Sequence, residues 1–161
     1  AMDNAIGKDN WESAGISGDR TQNLLWRVRY DNYNSCHPEN IVIAIGINNL
    51  ISGKDSPENT AEGIIAVANE VRKQFPEPRI ILLGLFPSGK EQQSKVRTQC
   101  DKIHDILQHH RFEKVEYINP TKWFTEADRT MKDGLYGNDY IHFTGEGYKV
   151  AATEIAKILA R

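Results

Sequence analysis

Cysteine is nearly absent from this sequence. Its 161 residues hold two, Cys36 and Cys100, too few for a disulfide scaffold and in no metal-type spacing, which leaves one isolated disulfide open. Long apolar runs are missing as well. Nothing approaches the ~20 consecutive apolar residues that a helix needs to cross a bilayer, which excludes a transmembrane helix. Nor is there an excess of one charge: 20 Lys and Arg stand against 22 Asp and Glu, a formal net charge of -2. Nucleic-acid-binding domains carry a marked basic surplus, so that class of partner is excluded. No repeat, low-complexity tract or interdomain linker interrupts the chain. Residues Ala1 to Lys8 are small, polar and patternless, and no leader-like apolar stretch follows Met2. What remains is ordinary, 39% hydrophobic and 26% charged, which fits one globular domain around a single core.

Three short apolar runs read as strands. Ile41-Val42-Ile43-Ala44-Ile45 is rich in β-branched residues and ends in Gly46, as a strand buried on both faces would be. Arg79-Ile80-Ile81-Leu82-Leu83-Gly84-Leu85 repeats the pattern, and Val115-Glu116-Tyr117-Ile118 is a weaker third. Between them lie helical stripes. Asn59-Thr60-Ala61-Glu62 has the form of a capping box ahead of Ile64, Ile65, Ala68, Val71 and Phe75, and Pro76 and Pro78 end that helix. Val96, Cys100, Ile103 and Leu107 form a second stripe; Tyr148, Ala151, Ala152, Ile155, Ile158 and Leu159 form a third. Alternation of strands and helices predicts an α/β fold of flavodoxin-like type, three layers α/β/α around a parallel sheet.

Open parallel sheets carry their sites at the carboxyl ends of the strands. Three segments could converge there. Gly15-Ile16-Ser17-Gly18-Asp19-Arg20-Thr21 precedes the amphipathic stretch Leu24-Leu25-Trp26-Arg27-Val28; glycines before a helix can turn backbone N–H groups toward an anion. Gly46-Ile47-Asn48-Asn49 follows the best strand, and an Asn there can donate its amide to a developing oxyanion. Asp139-Tyr140-Ile141-His142 precedes the last helix, with Thr144 as its cap. A carboxylate three residues before a His can orient the ring and leave its other nitrogen as a general base. Each segment alone reads equally as an ordinary turn or cap.

In this order, each beside its strand or helix, the three resemble blocks of the SGNH/GDSL-like hydrolases, a family of acyl esterases. The stretch from Gly15 to the end is similar to the platelet-activating-factor acetylhydrolase α-subunit branch and to bacterial sugar-deacetylating esterases. Thr21-Gln22-Asn23-Leu24-Leu25-Trp26-Arg27 and Leu83-Gly84-Leu85-Phe86-Pro87 add to the likeness. The resemblance implies a Ser-His-Asp mechanism with His142 and Asp139 catalytic, Gly18 and Asn48 in the oxyanion hole, and neither metal nor organic cofactor. It implies a small-molecule acyl ester as substrate, an acetylated sugar first, with a phospholipid or lysophospholipid as the alternative.

The family's Gly-Asp-Ser nucleophile block has no counterpart here. Ser13 and Ser17 fall within or just before the Gly18 block; Ser35, Ser52, Ser56, Ser88 and Ser94 lack the family context. The expectation is a single SGNH hydrolase domain over residues 1–161, incomplete at its N-terminal side, with the first strand, the serine and the first helix outside it. The competing reading is a non-catalytic binding module on the same fold. A sheet short of a strand would expose an edge, so association into a homodimer or aggregate is expected. His104, His109 and His110 read as a solvated helix face, and His37 as a loop residue.

Overall fold

The computed structural model describes residues 1–33 and 35–161. Three parallel strands, β1 (Asn40–Ala44), β2 (Arg79–Leu83) and β3 (Val115–Ile118), form one sheet in the order β1-β2-β3. Ile41 pairs with Ile80, and Ile81 with Glu116. The central strand's Ile-Ile-Leu-Leu is buried on both faces, as a continuous apolar run in a parallel sheet requires.

Helices cover both faces. α2 (Thr21–Tyr30), α4 (Pro57–Gln74) and α5 (Lys95–His109) lie on one side. There Val28, Ile64, Val67, Val71, Cys100, Ile103 and Leu107 close over Ile43, Ile80 and Leu82. On the other side, α7 (Gly145–Leu159) brings Ile158 against Ile81 and Leu83, with Trp123 of α6 (Thr121–Phe124) packed beside them. The expected three layers are there. Cys36 is exposed, Cys100 is buried, and both are free thiols.

Arg79, at the start of β2, donates from Nη1 to the Ile158 carbonyl at the end of α7, at 2.8 Å. The C-terminus of α7 therefore lies at the amino ends of the strands. Its N-terminus, next to His142, lies at their carboxyl ends.

Several elements differ in detail from the sequence expectations. α4 starts two residues before Asn59, with Pro57 at its first turn and the Ser56 hydroxyl accepting from the Asn59 N–H at 3.1 Å. Proline lacks an N–H and its ring presets helical φ, so it suits a first turn. Residues Met2–Ile6 form a one-turn helix, α1, against α7. Tyr148, placed in the last apolar stripe, is 53% exposed. On β1, Ile43 is 4% exposed but Val42 on the opposite face is 37% exposed, and β1 pairs with β2 alone among the described residues.

Candidate active site

Asp139 and His142 sit on a tight loop whose shape follows from its hydrogen bonds. Thr144 N–H donates to Leu135 O at 3.0 Å, Gly137 N–H to His142 O at 2.8 Å, and Tyr140 N–H to Gly137 O at 3.0 Å. Phe143 anchors the loop from below, its ring 4.5 Å from Phe124, 5.0 Å from Phe86 and 5.1 Å from Tyr136. Such aromatic contacts add about 0.5–1.5 kcal/mol each beyond burial. The Thr144 hydroxyl accepts from the Gly147 N–H at 3.2 Å and so caps α7, as the sequence expectation had it.

Within this frame one carboxylate does two jobs. Asp139 Oδ2 lies 2.6 Å from His142 Nδ1. Oδ1 accepts the backbone N–H of Ile141 at 2.9 Å and of His142 at 3.0 Å. The His142 hydrogen bond first, and then these two amides, hold the Asp139 carboxyl well below the usual carboxylate range. An ionised acceptor fixes the ring with a proton on Nδ1 and leaves Nε2 as the free base. Both side chains are open to solvent, His142 76% and Asp139 48% exposed, so the pair matters through geometry and adds little to stability.

The turn that makes this geometry includes Tyr140 at φ +52°. A non-glycine residue there costs about 1–2 kcal/mol. Its carbonyl is held by the Gly89 N–H at 2.8 Å, and the Lys90 ammonium lies 5.9 Å from its ring centroid.

The oxyanion candidates come from two other loops. Gly46, two residues past β1, has φ +120°, and a Cβ there would lie 2.9 Å from Ile64 Cδ1, so glycine alone fits the turn. The turn opens a one-turn helix, α3 (Ile47–Ile51), with Asn48 in its first turn. The Asn48 amide donates to Asp19 O at 2.9 Å. That bond ties it to the Gly18 segment and uses one of its two N–H donors. Gly18 sits at φ +82° with open space around it. Its neighbour Asp19 pairs with Arg27, whose guanidinium that contact pushes upward. Below, the buried Asn49 accepts the Thr21 N–H at 2.9 Å and donates to Asp55 Oδ2 at 2.8 Å, which locks α3 to α2.

Gly18 and Asn48 are thus brought together, and so are Asp139 and His142. The two pairs lie at the same end of the sheet, and no hydrogen bond joins them among the described residues. Ser88 is buried with its hydroxyl donating to Phe86 O at 3.1 Å, and Ser52 donates to Asn49 O at 2.8 Å. No serine is hydrogen-bonded to His142 among the described residues. A cavity of about 590 Å³ beside Trp123, Lys132 and Glu154 shares no residue with the site.

His104 corrects the sequence expectation of a solvated face. It is 5% exposed, with Nδ1 2.6 Å from Tyr117 Oη and Nε2 2.8 Å from Leu85 O. Leu85 O can only accept, so Nε2 carries the proton and Tyr117 donates to Nδ1. Residues not singled out from the sequence include Asn49, Tyr136 and Arg97. Arg97 stands three residues before Cys100, beside the apolar stripe of α5.

The model of the GDSL-like lipase/acylhydrolase family matches residues 2–150. Platelet-activating factor acetylhydrolase IB subunit alpha2 of Homo sapiens is 29% identical over 137 residues, 83% of this chain and 57% of that protein. The alpha1 subunit of Rattus norvegicus is 26% identical over 150 residues, 91% of this chain and 62% of its own length. This chain therefore spans about three-fifths of the curated relatives it matches. Among solved structures, a GDSL-like lipase from Bacteroides thetaiotaomicron superposes with a TM-score of 0.72 at 21% identity, covering 91% of this chain and 73% of that one. An acetylxylan esterase from Geobacillus stearothermophilus does so with a TM-score of 0.68 at 20% identity, covering 89% and 68%. These two likenesses establish the shared fold.

Proposed function

This chain belongs to the GDSL-like lipase/acylhydrolase family, and from that premise we propose that its site serves hydrolysis of short acyl esters, acetyl above all, on a carbohydrate. The observation that carries the reading is the 2.6 Å contact between His142 Nδ1 and Asp139 Oδ2. His142 Nε2 takes the proton of a serine hydroxyl as the serine attacks the ester carbonyl. Asp139 holds the ring and stabilises the imidazolium. The Gly18 N–H and the second Asn48 amide hydrogen receive the oxyanion; as it collapses, His142 Nε2 gives its proton to the departing alcohol, and the neutral ring then activates the water that releases the acid from the serine.

The nucleophile is proposed to lie outside these residues, because none of the seven serines stands in the required context. The chain by itself is then a very poor esterase. Relatives of both kinds act on acetyl groups by name, platelet-activating factor acetylhydrolase and acetylxylan esterase alike. They differ in what carries the acetyl group. The identity to the mammalian subunits favours a phospholipid as the second reading.

Titration of the labelled chain by NMR with an acetylated xyloside, and separately with a short-chain acetylated glycerophosphocholine, tests this. Saturable shifts of the Gly18 and Asn48 amide signals and the His142 ring with the xyloside support the carbohydrate reading. The same shifts with the glycerophosphocholine alone would move the reading to lipid. No shift with either would defeat both.

A further inference from the structure

Beneath the Asp139-His142 loop lies a buried charge that the proposed mechanism does not use. Arg97, in the first turn of α5, is 1% exposed. Its Nε and Nη1 have no hydrogen-bond partner among the described residues. Asp101, one helical turn further on, is held by Arg129 Nη2 at 2.6 and 2.7 Å and does not pair with Arg97. Burial holds the Arg97 basicity below its ordinary value although the Asp101 charge partly offsets this, and a buried cation with no direct ion pair is costly.

The contacts it does make point one way. Arg97 Nη2 donates to the Gly89 carbonyl at 3.2 Å and contacts Met131 Sδ. The N–H of the same Gly89 donates to Tyr140 O at 2.8 Å. Two residues back, Pro87 O accepts the Tyr136 hydroxyl at 2.5 Å. The turn after β2 is thus gripped by α5 from behind and grips the catalytic loop in front, at Tyr136 and at Tyr140 on either side of Gly137. Gly89 must be glycine for this. Its φ is +89°, and a Cβ would meet Ser94 Oγ and lie 2.6 Å from Val96 Cγ1.

We propose that Arg97 is a positioning residue for the Asp139-His142 pair. Its guanidinium fixes the Gly89 peptide, and Gly89 with Tyr136 holds the catalytic loop in the strained turn that brings Asp139 back onto His142. The role as positioning residue rests on the site proposed above. The geometry it claims can be read without any ester turnover, so its failure is distinct from failure of that function.

The test is Arg97→Met, which keeps the length of the side chain and removes the charge. The readouts are amide hydrogen exchange, the pH titration of the Asp139 carboxyl carbon by NMR, and thermal stability. The expected result is exchange at Gly89, Ile141 and His142 faster by about tenfold or more, with Asp139 titrating nearer its ordinary range. The midpoint of thermal unfolding should stay level or rise, because replacing a buried charge that has no direct ion pair by an apolar chain is often neutral or stabilising. Unchanged exchange and titration would overturn the proposal, and so would a loss of protection spread evenly over the sheet and helices. Should Arg97→Met fail to fold, Tyr136→Phe decides, since it removes one hydroxyl and no charge. Faster exchange confined to the turn and the catalytic loop supports the proposal; exchange equal to the parent's overturns it.

Discussion

His104 shows how much of this molecule is decided by single side chains. Its ring is satisfied on both nitrogens as the neutral tautomer, and burial pushes its basicity below the ordinary value for histidine. The unfolded chain therefore takes up a proton near pH ~6.5 that the folded chain refuses. The stabilisation is fully present above that pH and declines as pH falls through it. Between about pH 7.5 and about pH 5.5 the thermal midpoint of the parent should fall more than that of His104→Gln, because only the parent carries this group. Equal pH slopes would show that His104 is not held neutral. The sequence could not indicate this burial, since its partners, Leu85 O and Tyr117 Oη, lie 19 and 13 residues away. The same holds for Arg97, whose acceptor belongs to a different element. Asp139 and His142 were legible because their relation is local, three residues on one turn.

At the scale of elements, the three strands were readable from β-branched runs closed by Gly or Asn-Pro, and β3 has the expected limits, Val115–Ile118. The start of α4 was misplaced because Asn59 looked like a cap, whereas Ser56 with Pro57 behind it makes the earlier and better one. α1 has no periodic apolar face of its own and was not legible at all. The exposed side of β1 belongs here too. Its sequence Asn-Ile-Val-Ile-Ala carries no charge and no proline, the devices that natural edge strands use against pairing with another chain. Self-association of the chain through this edge is expected. Val42→Lys should shift the mass measured by light scattering toward the monomer, with a stability change within about 0.5 kcal/mol because the position is exposed. A parent chain that is monomeric at all concentrations would contradict the expectation.

At the scale of the whole molecule, the parallel sheet gathers residues from three distant loops at one end. Gly18 and Asn48 are joined through Asp19 O, and Asp139 and His142 through a direct contact. Their order along the chain was legible in the sequence; the bonds that orient them, from Asn49 beneath one pair and the Gly89 turn beneath the other, were not. We propose that this assembly is the acid–base and oxyanion part of an ester hydrolase whose nucleophile lies outside these residues. The most direct test is hydrolysis of p-nitrophenyl acetate by the chain and by His142→Ala. Triad members act as a unit, so once the serine is missing the loss of the histidine costs little more. The expected result is slow hydrolysis, at most the ~10³–10⁴-fold residual over water seen when a triad member is absent, and changed less than about threefold by His142→Ala. Turnover at ordinary enzyme rates that disappears in His142→Ala would contradict it, because a nucleophile would then have to be among the residues of this chain.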